Sequence, residues 1–388
     1  MAVEIMMQTI SWQEAEKDYF AFWHSESGAK PPRRIVPVND TLTADEALKL
    51  AHEGTGLLWQ GDYQNARQLL QAMTRRLDKK SSRKKEKTGS PENIKEVFNL
   101  YRLGQAQRAR LLGMVLIRID PGFKISLRRA PDVQQACALV YPYTDSFVVS
   151  LRELLGVIGA FEWRRNGVPV PEVGGKIHPY YGVFSPVRGE YLKLVDQAPL
   201  PDSCETAFDI GTGTGVLSII LAKRGVKHIV ATDMQQRAVE CARFNIANTG
   251  YQDVITVEQR SFFPDGKADL IVCNPPWLPA KPSSPLEHAV YDPDSAMLRG
   301  FLKNLPAHLN RNGQGWLIIS DLAEHLGLRS REDLLGWIKQ AGLTVLERHD
   351  IKPHHAKVAD TTDLLHAARK AEVTSLWRLA VHECTDVG

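Results

Sequence analysis

The chain has 388 residues, with 48 Lys and Arg against 45 Asp and Glu, for a formal net charge of +3. Hydrophobic residues make up 43% and charged residues 24%, the balance of a soluble globular protein, which excludes a wholly disordered chain, a collagen-like repeat and a membrane bundle. A surplus this small does not by itself imply nucleic acid, and five scattered cysteines with no CxxC pair fit neither a disulfide framework nor a zinc site.

The opening MAVEIMMQTISW carries Glu4 and no basic start before an apolar stretch, so no signal peptide is expected. The longest apolar runs, at 111–117 and 216–222, fall far short of the roughly 20 residues that a membrane span needs. A cytoplasmic protein with reduced thiols is expected. Residues 1–130 read as a mainly helical domain. Thr43 and Glu46 have capping-box spacing ahead of Ala47, Leu48, Leu50 and Ala51. A second apolar stripe runs through Ala66, Leu69, Leu70, Met73 and Leu77. The basic run from Lys79 to Lys87, continuing to TGSP, reads as a solvated loop over 79–90. Its alternative role is a basic arm that grips phosphates, adding affinity for RNA without specificity. Arg128-Arg129 and Arg164-Arg165 read as exposed faces, and Tyr141, Tyr143, Phe147, Phe161 and Trp163 read as core.

Residues 131–200, rich in Pro, Gly and Tyr, read as a connector that contributes to the site. A turn or hairpin around Gly174-Gly175 feeds a helix near 190–195, and Tyr181 in that turn is a candidate for the substrate entrance. From 201 to 388 short apolar strands alternate with helices. Strands are expected at 206–210, 228–232, 254–258, 269–273, 315–320, 343–348 and 375–382. Helices are expected at 216–223, 236–247, 295–309 and 331–340. Such repeated β-α units form a doubly wound, Rossmann-like α/β sheet of seven strands, with ligands at the carboxyl ends.

Asp209-Ile210-Gly211-Thr212-Gly213-Thr214-Gly215 lies between the first strand and first helix of this region. The glycines let a ligand approach the backbone, and the helix turns its free N–H groups toward it. The dinucleotide fingerprint wants Gly or Ala at 216, where Val216 stands. Asp209 just before the loop suits an amino-bearing ligand such as the methionine end of S-adenosylmethionine. Asp233 ends the second strand, where a carboxylate accepts hydrogen bonds from both ribose hydroxyls. That spacing alone also suits NAD, and Asp233 as a plain helix cap is the structural alternative.

Asn274-Pro275-Pro276-Trp277 follows the fourth strand. Two prolines fix φ and remove two donors, leaving a rigid rim of carbonyl oxygens with the Asn274 amide oxygen and the flat face of Trp277 beside it. The rim suits a planar –NH2 group, its two N–H bonds aimed at Asn274 and the Pro275 carbonyl. An amide or aniline-like nitrogen needs its lone pair oriented, so positioning supplies the rate without a strong base.

DIGTGTGVLS, ATDMQQRAVECARFN and IVCNPPW together resemble the class I S-adenosylmethionine-dependent methyltransferases with an [N/D]PP[Y/F/W] motif. Within that group the chain is most similar to the release-factor glutamine methyltransferases, through the segments around 183–192 and 291–301. The resemblance implies N-methylation of a protein glutamine or an RNA base. Gly211, Gly213 and Gly215 would lie against the cofactor's methionine part and Asp233 would bind the ribose. Asn274 and Pro275 would hold the target nitrogen, with Pro276 and Trp277 on the substrate side. Where the family carries an acid near the adenine, this chain has Ser261 with Phe262 beside it, and these two take that place in the cofactor site. Trp277 in place of the usual Tyr widens the platform, and residues 1–130 do not resemble the family's release-factor-docking domain. Alternatives are N-methylation of a small aromatic or heterocyclic metabolite, or a binding protein that retains the fold. A dehydrogenase is the other enzyme class to weigh. His354-His355 reads as surface rather than metal ligand.

Overall fold

The computed structural model describes residues 8–85, 93–143, 145–186, 189–282, 287, 290–353 and 363–382. In place of the three expected segments, the chain divides into two compact units, 1–162 and 163–388.

The first unit corrects the expectation of a mainly helical domain. Six strands form one sheet in the order β1-β2-β6-β5-β4-β3: β1 (Gln8–Glu14), β2 (Lys17–Trp23), β3 (Arg34–Val38), β4 (Thr55–Trp59), β5 (Val115–Ile119) and β6 (Phe147–Ser150). Three of them, β1, β2 and β4, were hidden for a physical reason. The β1-β2 hairpin turns through Ala15 and Glu16, both at positive φ, where Asn or Gly would have announced the turn. All five residues of β4 are buried, so no polar alternation marks it as a strand. Helices α1 (Ala44–His52), α2 (Tyr63–Lys85), α3 (Ile94–Leu112), α4 (Gln134–Ala138) and α5 (Leu151–Asn166) complete the unit, with α5 running past its end.

The predicted capping box is present at α1: Glu46 N–H donates to Thr43 Oγ1 at 3.3 Å and Thr43 N–H to Glu46 Oε2 at 3.1 Å. The basic loop needs correction, because 79–85 continue α2. Lys and Arg are good helix formers, and a helix already anchored by Ala66, Leu70 and Met73 in the core extends through them. Residues 86–90 lie outside the described residues. Tyr141, Tyr143 and Phe147 are core, as expected, and pack edge-on around the buried His24. Trp163 is 46% exposed and is not. Arg128 and Arg129 are exposed, yet both Nε groups donate to the buried Asp62, at 2.8 and 2.7 Å.

The second unit opens with a hairpin of β7 (Val168–Val170) and β8 (Gly175–Ile177), then α6 (Glu190–Gln197). Seven strands follow in the sheet order β11-β10-β9-β12-β13-β15-β14. They are β9 (Thr206–Ile210), β10 (His228–Asp233), β11 (Ile255–Gln259), β12 (Ala268–Cys273), β13 (Leu309–Ser320), β14 (Leu343–Ile351) and β15 (Thr374–Val381). β15 inserts antiparallel between β13 and β14, while β9 to β13 run parallel. Helices α7 (Val216–Lys223) and α8 (Gln236–Thr249) follow β9 and β10; α9 (Ala296–His308) leads into β13, α10 (Leu322–His325) and α11 (Arg331–Gln340) follow it, and α12 (His366–Ala371) precedes β15. α7 is buried from Val216 to Ala222, which explains why its sequence is apolar all round rather than striped. No helix among the described residues is long and apolar enough to cross a membrane.

Candidate active site

The strand order reverses between β9 and β12, the place where loops diverge and a parallel sheet leaves a crevice at its carboxyl ends. Ile210 pairs with Cys273. Gly211 and Asn274, the next residues along each strand, therefore begin their loops side by side, and Asp233 ends β10 on the far side of β9.

Gly211, Gly213 and Gly215 all adopt positive φ, at 72°, 55° and 83°. At two of them a Cβ would also crowd a neighbour. A Cβ at Gly211 would fall 2.8 Å from Met297 Cε, and one at Gly215 would fall 3.3 Å from Ala242 Cα. Gly213 differs, because a Cβ there meets nothing within 4 Å. Its backbone faces open space.

Asp209 is fully buried. Its Oδ2 accepts Thr212 Oγ1–H at 2.6 Å, Ser218 Oγ–H at 2.6 Å and Ser218 N–H at 3.1 Å. One carboxylate oxygen thus shapes the loop and seats α7, while Oδ1 is buried without a hydrogen-bond partner among the described residues. Burial pushes the carboxyl's pKa up against the pull of the Ser218 and Thr212 bonds. Asp233 Oδ2 accepts Gly213 N–H at 3.1 Å, and Oδ1 accepts Gln235 N–H at 2.9 Å. The side chain ties the glycine loop to the start of α8, and burial raises its pKa as well. An open Gly213, an orphaned Asp209 oxygen and a carboxylate at the end of β10 fit a ligand that carries both an amino group and a ribose.

Ser261 is exposed. The Phe262 carbonyl accepts Thr232 Oγ1–H at 2.7 Å, while its ring lies on α9, where a Cβ at Gly300 would fall 2.7 Å from Phe262 Cζ. The ring belongs to the packing on that face of the sheet. Tyr181 sits by α8, its ring 5.7 Å from the Arg237 guanidinium.

At the second loop, Trp277 Nε1–H donates to Asn274 Oδ1 at 2.9 Å. An indole N–H only donates, so it fixes which end of the carboxamide is oxygen. Pro275 is buried and Pro276 partly so. Trp277 is partly buried against the cores on both faces of the sheet, so its ring is more wedge than free-standing platform. Tyr191 of α6 escaped the sequence analysis. Its ring is 5% exposed and meets Trp277 edge to face at 6.5 Å. Burial, then the charge of Asp209, pushes the phenol pKa up, so it stays protonated. Asn274 is held by Trp277, against which Tyr191 packs in turn. Only its place in the segment before the first strand hinted at Tyr191.

Asp292 is a second residue that sequence alone did not single out. Its N–H donates to the Leu278 carbonyl at 2.8 Å, and its carboxylate accepts Met297 N–H at 2.9 Å and Leu298 N–H at 3.1 Å. It pins the far end of the NPPW loop to the start of α9 and is 5% exposed. Replacing it leaves buried amides unsatisfied, so Asp292→Ala is expected to cost about 2 kcal/mol. Urea unfolding of the whole chain checks this, and an unchanged midpoint would contradict it.

Residues 191–275 match the family of ribosomal protein L11 methyltransferase (PrmA), the stretch that spans the glycine loop, Asp233 and Asn274. Among curated proteins, the ribosomal protein L11 methyltransferase of Anoxybacillus flavithermus is 42% identical over 72 residues, 18% of this chain and 23% of that one. The release factor glutamine methyltransferase of Cereibacter sphaeroides is 28% identical over 162 residues, 38% of this chain and 55% of that one. The tRNA1(Val) (adenine(37)-N6)-methyltransferase of Phocaeicola vulgatus is 42% identical over 79 residues, 20% of this chain and 34% of that one. Over these stretches the seven-stranded unit is similar to class I S-adenosylmethionine-dependent methyltransferases, enzymes that take their methyl group from that cofactor. The chain spans 23%, 55% and 34% of these relatives' own lengths. Among the described residues no cluster of His, Cys, Asp and Glu could hold a metal ion; His354-His355 lie outside them.

Proposed function

We propose that the protein transfers a methyl group from S-adenosylmethionine to a planar amino or amide nitrogen, with a base of RNA as the acceptor and a protein glutamine as the second reading. The observation that carries the transfer is Asn274, held by Trp277 at the strand end beside the glycine loop. RNA is favoured by the basic run on the last turns of α2, Lys79 to Lys85. Glutamine is favoured by the longer match to the release factor enzyme.

The cofactor supplies an electrophilic methyl on a sulfonium. Gly213 and Asp209 would lie against its amino-acid end, and Asp233 would accept its ribose hydroxyls. Asn274 Oδ1 already accepts one bond from Trp277 and keeps a second lone pair for an N–H of the acceptor. The Pro275 carbonyl takes the other N–H. Two acceptors draw the –NH2 group out of its plane and aim the nitrogen lone pair, and this preorganisation is the catalysis. No strong base is required, because the nitrogen becomes acidic once it is methylated and releases its proton to water.

The test is transfer of radiolabelled methyl to total cellular RNA and total ribosomal and release-factor protein. RNase-sensitive label supports the RNA acceptor and protease-sensitive label the glutamine acceptor. No label in either fraction contradicts both.

A further inference from the structure

Asn245 lies within α8 and is fully buried. Its carboxamide joins two stretches of backbone that are far apart in sequence. Oδ1 accepts His178 N–H at 2.7 Å, and because an amide N–H only donates, this bond fixes which end of the carboxamide is oxygen. Nδ2 then donates to the His178 carbonyl at 3.3 Å and to the Thr214 carbonyl at 3.0 Å. His178 is itself anchored, its Nδ1 donating to the Arg164 carbonyl at 2.6 Å.

Thr214 belongs to the glycine loop. The earlier part of that loop is held from β10: Gly211 and Thr212 N–H both donate to the Thr232 carbonyl at 2.9 Å, and Gly213 N–H donates to Asp233. The Thr214–Gly215 peptide is held differently, its carbonyl by Asn245 and its N–H by the Thr212 carbonyl at 2.9 Å. At this peptide Gly215, with φ 83°, turns the chain into α7. Thr214 is 2% exposed, so water does not replace a lost partner of its carbonyl. α8 reaches the loop because Gly215 has no side chain, a Cβ there falling 3.3 Å from Ala242 Cα, one turn before Asn245.

We infer that Asn245 is a positioning residue of the cofactor site: it fixes the Thr214–Gly215 peptide, and with it the shape of the glycine loop, against α8 and His178. The inference rests on the reading of that loop as the S-adenosylmethionine site. Aspartate at 245 would keep the bond from His178 N–H but set a carboxylate oxygen against two carbonyls. Alanine would leave all three backbone groups without this partner.

The test uses the whole chain, with Asn245→Ala, Asn245→Asp and, as a control, Thr249→Val. Thr249 Oγ1–H donates to the Asn245 and Ile246 carbonyls at 2.9 and 3.1 Å, so the control weakens α8 and leaves the carboxamide in place. S-adenosylhomocysteine is titrated well below the melting temperature of each variant. Its Kd should rise about tenfold in Asn245→Ala and about a hundredfold in Asn245→Asp, while Thr249→Val lowers the melting temperature and keeps the wild-type Kd. KM for S-adenosylmethionine should rise in step, with kcat at saturating cofactor within about twofold of wild type. Wild-type affinity in both Asn245 variants would make the carboxamide a brace of the fold and overturn the inference, as would an equal loss in Thr249→Val. Either failure leaves the cofactor reading standing. No binding by the wild type would overturn that reading and the inference with it.

Discussion

Asn274→Ala is expected to lower kcat for methyl transfer by about 10²- to 10³-fold, while the affinity for S-adenosylhomocysteine stays nearly unchanged. The separation follows from the architecture. Asn274 leaves the end of β12, whereas the residues placed for the cofactor leave the ends of β9 and β10. The carboxamide oxygen is fixed by Trp277 before any acceptor arrives, so its removal takes away a preorganised acceptor that water cannot replace in the same geometry. Single-turnover kinetics with the acceptor, alongside titration of S-adenosylhomocysteine, reads both quantities. Full activity in the variant would show that the nitrogen is held elsewhere.

Asp233→Ala is expected to weaken S-adenosylmethionine binding by about 10- to 100-fold, the loss of two hydrogen bonds to a charged group. Part of the loss is indirect. Asp233 also accepts Gly213 N–H at 3.1 Å, so the variant frees the glycine of this loop whose Cβ position is open. Asp233→Asn keeps an oxygen for one of these bonds and should fall between the two. Isothermal titration decides, and equal affinity in wild type and Asp233→Ala would place the ribose away from β10.

The seven-stranded unit was legible in the sequence because its signals are local. Short apolar runs bounded by glycine and acidic turns placed β9, β10, β12, α7 and α11 within a residue or so of their observed ends. The glycine loop, Asp233 and the NPPW loop needed only strand order to bring them together. The N-terminal sheet was not legible, since its hairpin turns on Ala15-Glu16 and β4 shows no alternation. Tyr191 and Asp292 were hidden for a different reason. Each acts through a partner distant in sequence, Trp277 and Leu278 respectively, and no spacing rule joins them. The direction of the Trp277 indole was equally invisible, because a motif specifies residues and not rotamers. Phe262 shows the converse, a residue in the expected position whose ring the packing turns onto α9.

Transfer to a planar nitrogen is tested most directly by the identity of the methylated atom. Methyl-labelled acceptor from a wild-type reaction, digested to nucleosides and amino acids and analysed by mass spectrometry, should carry the label on an exocyclic base nitrogen, or on the amide nitrogen of glutamine under the second reading. Label on an oxygen, a carbon or a ring nitrogen without an –NH2 group would contradict the role given to Asn274 and Pro275.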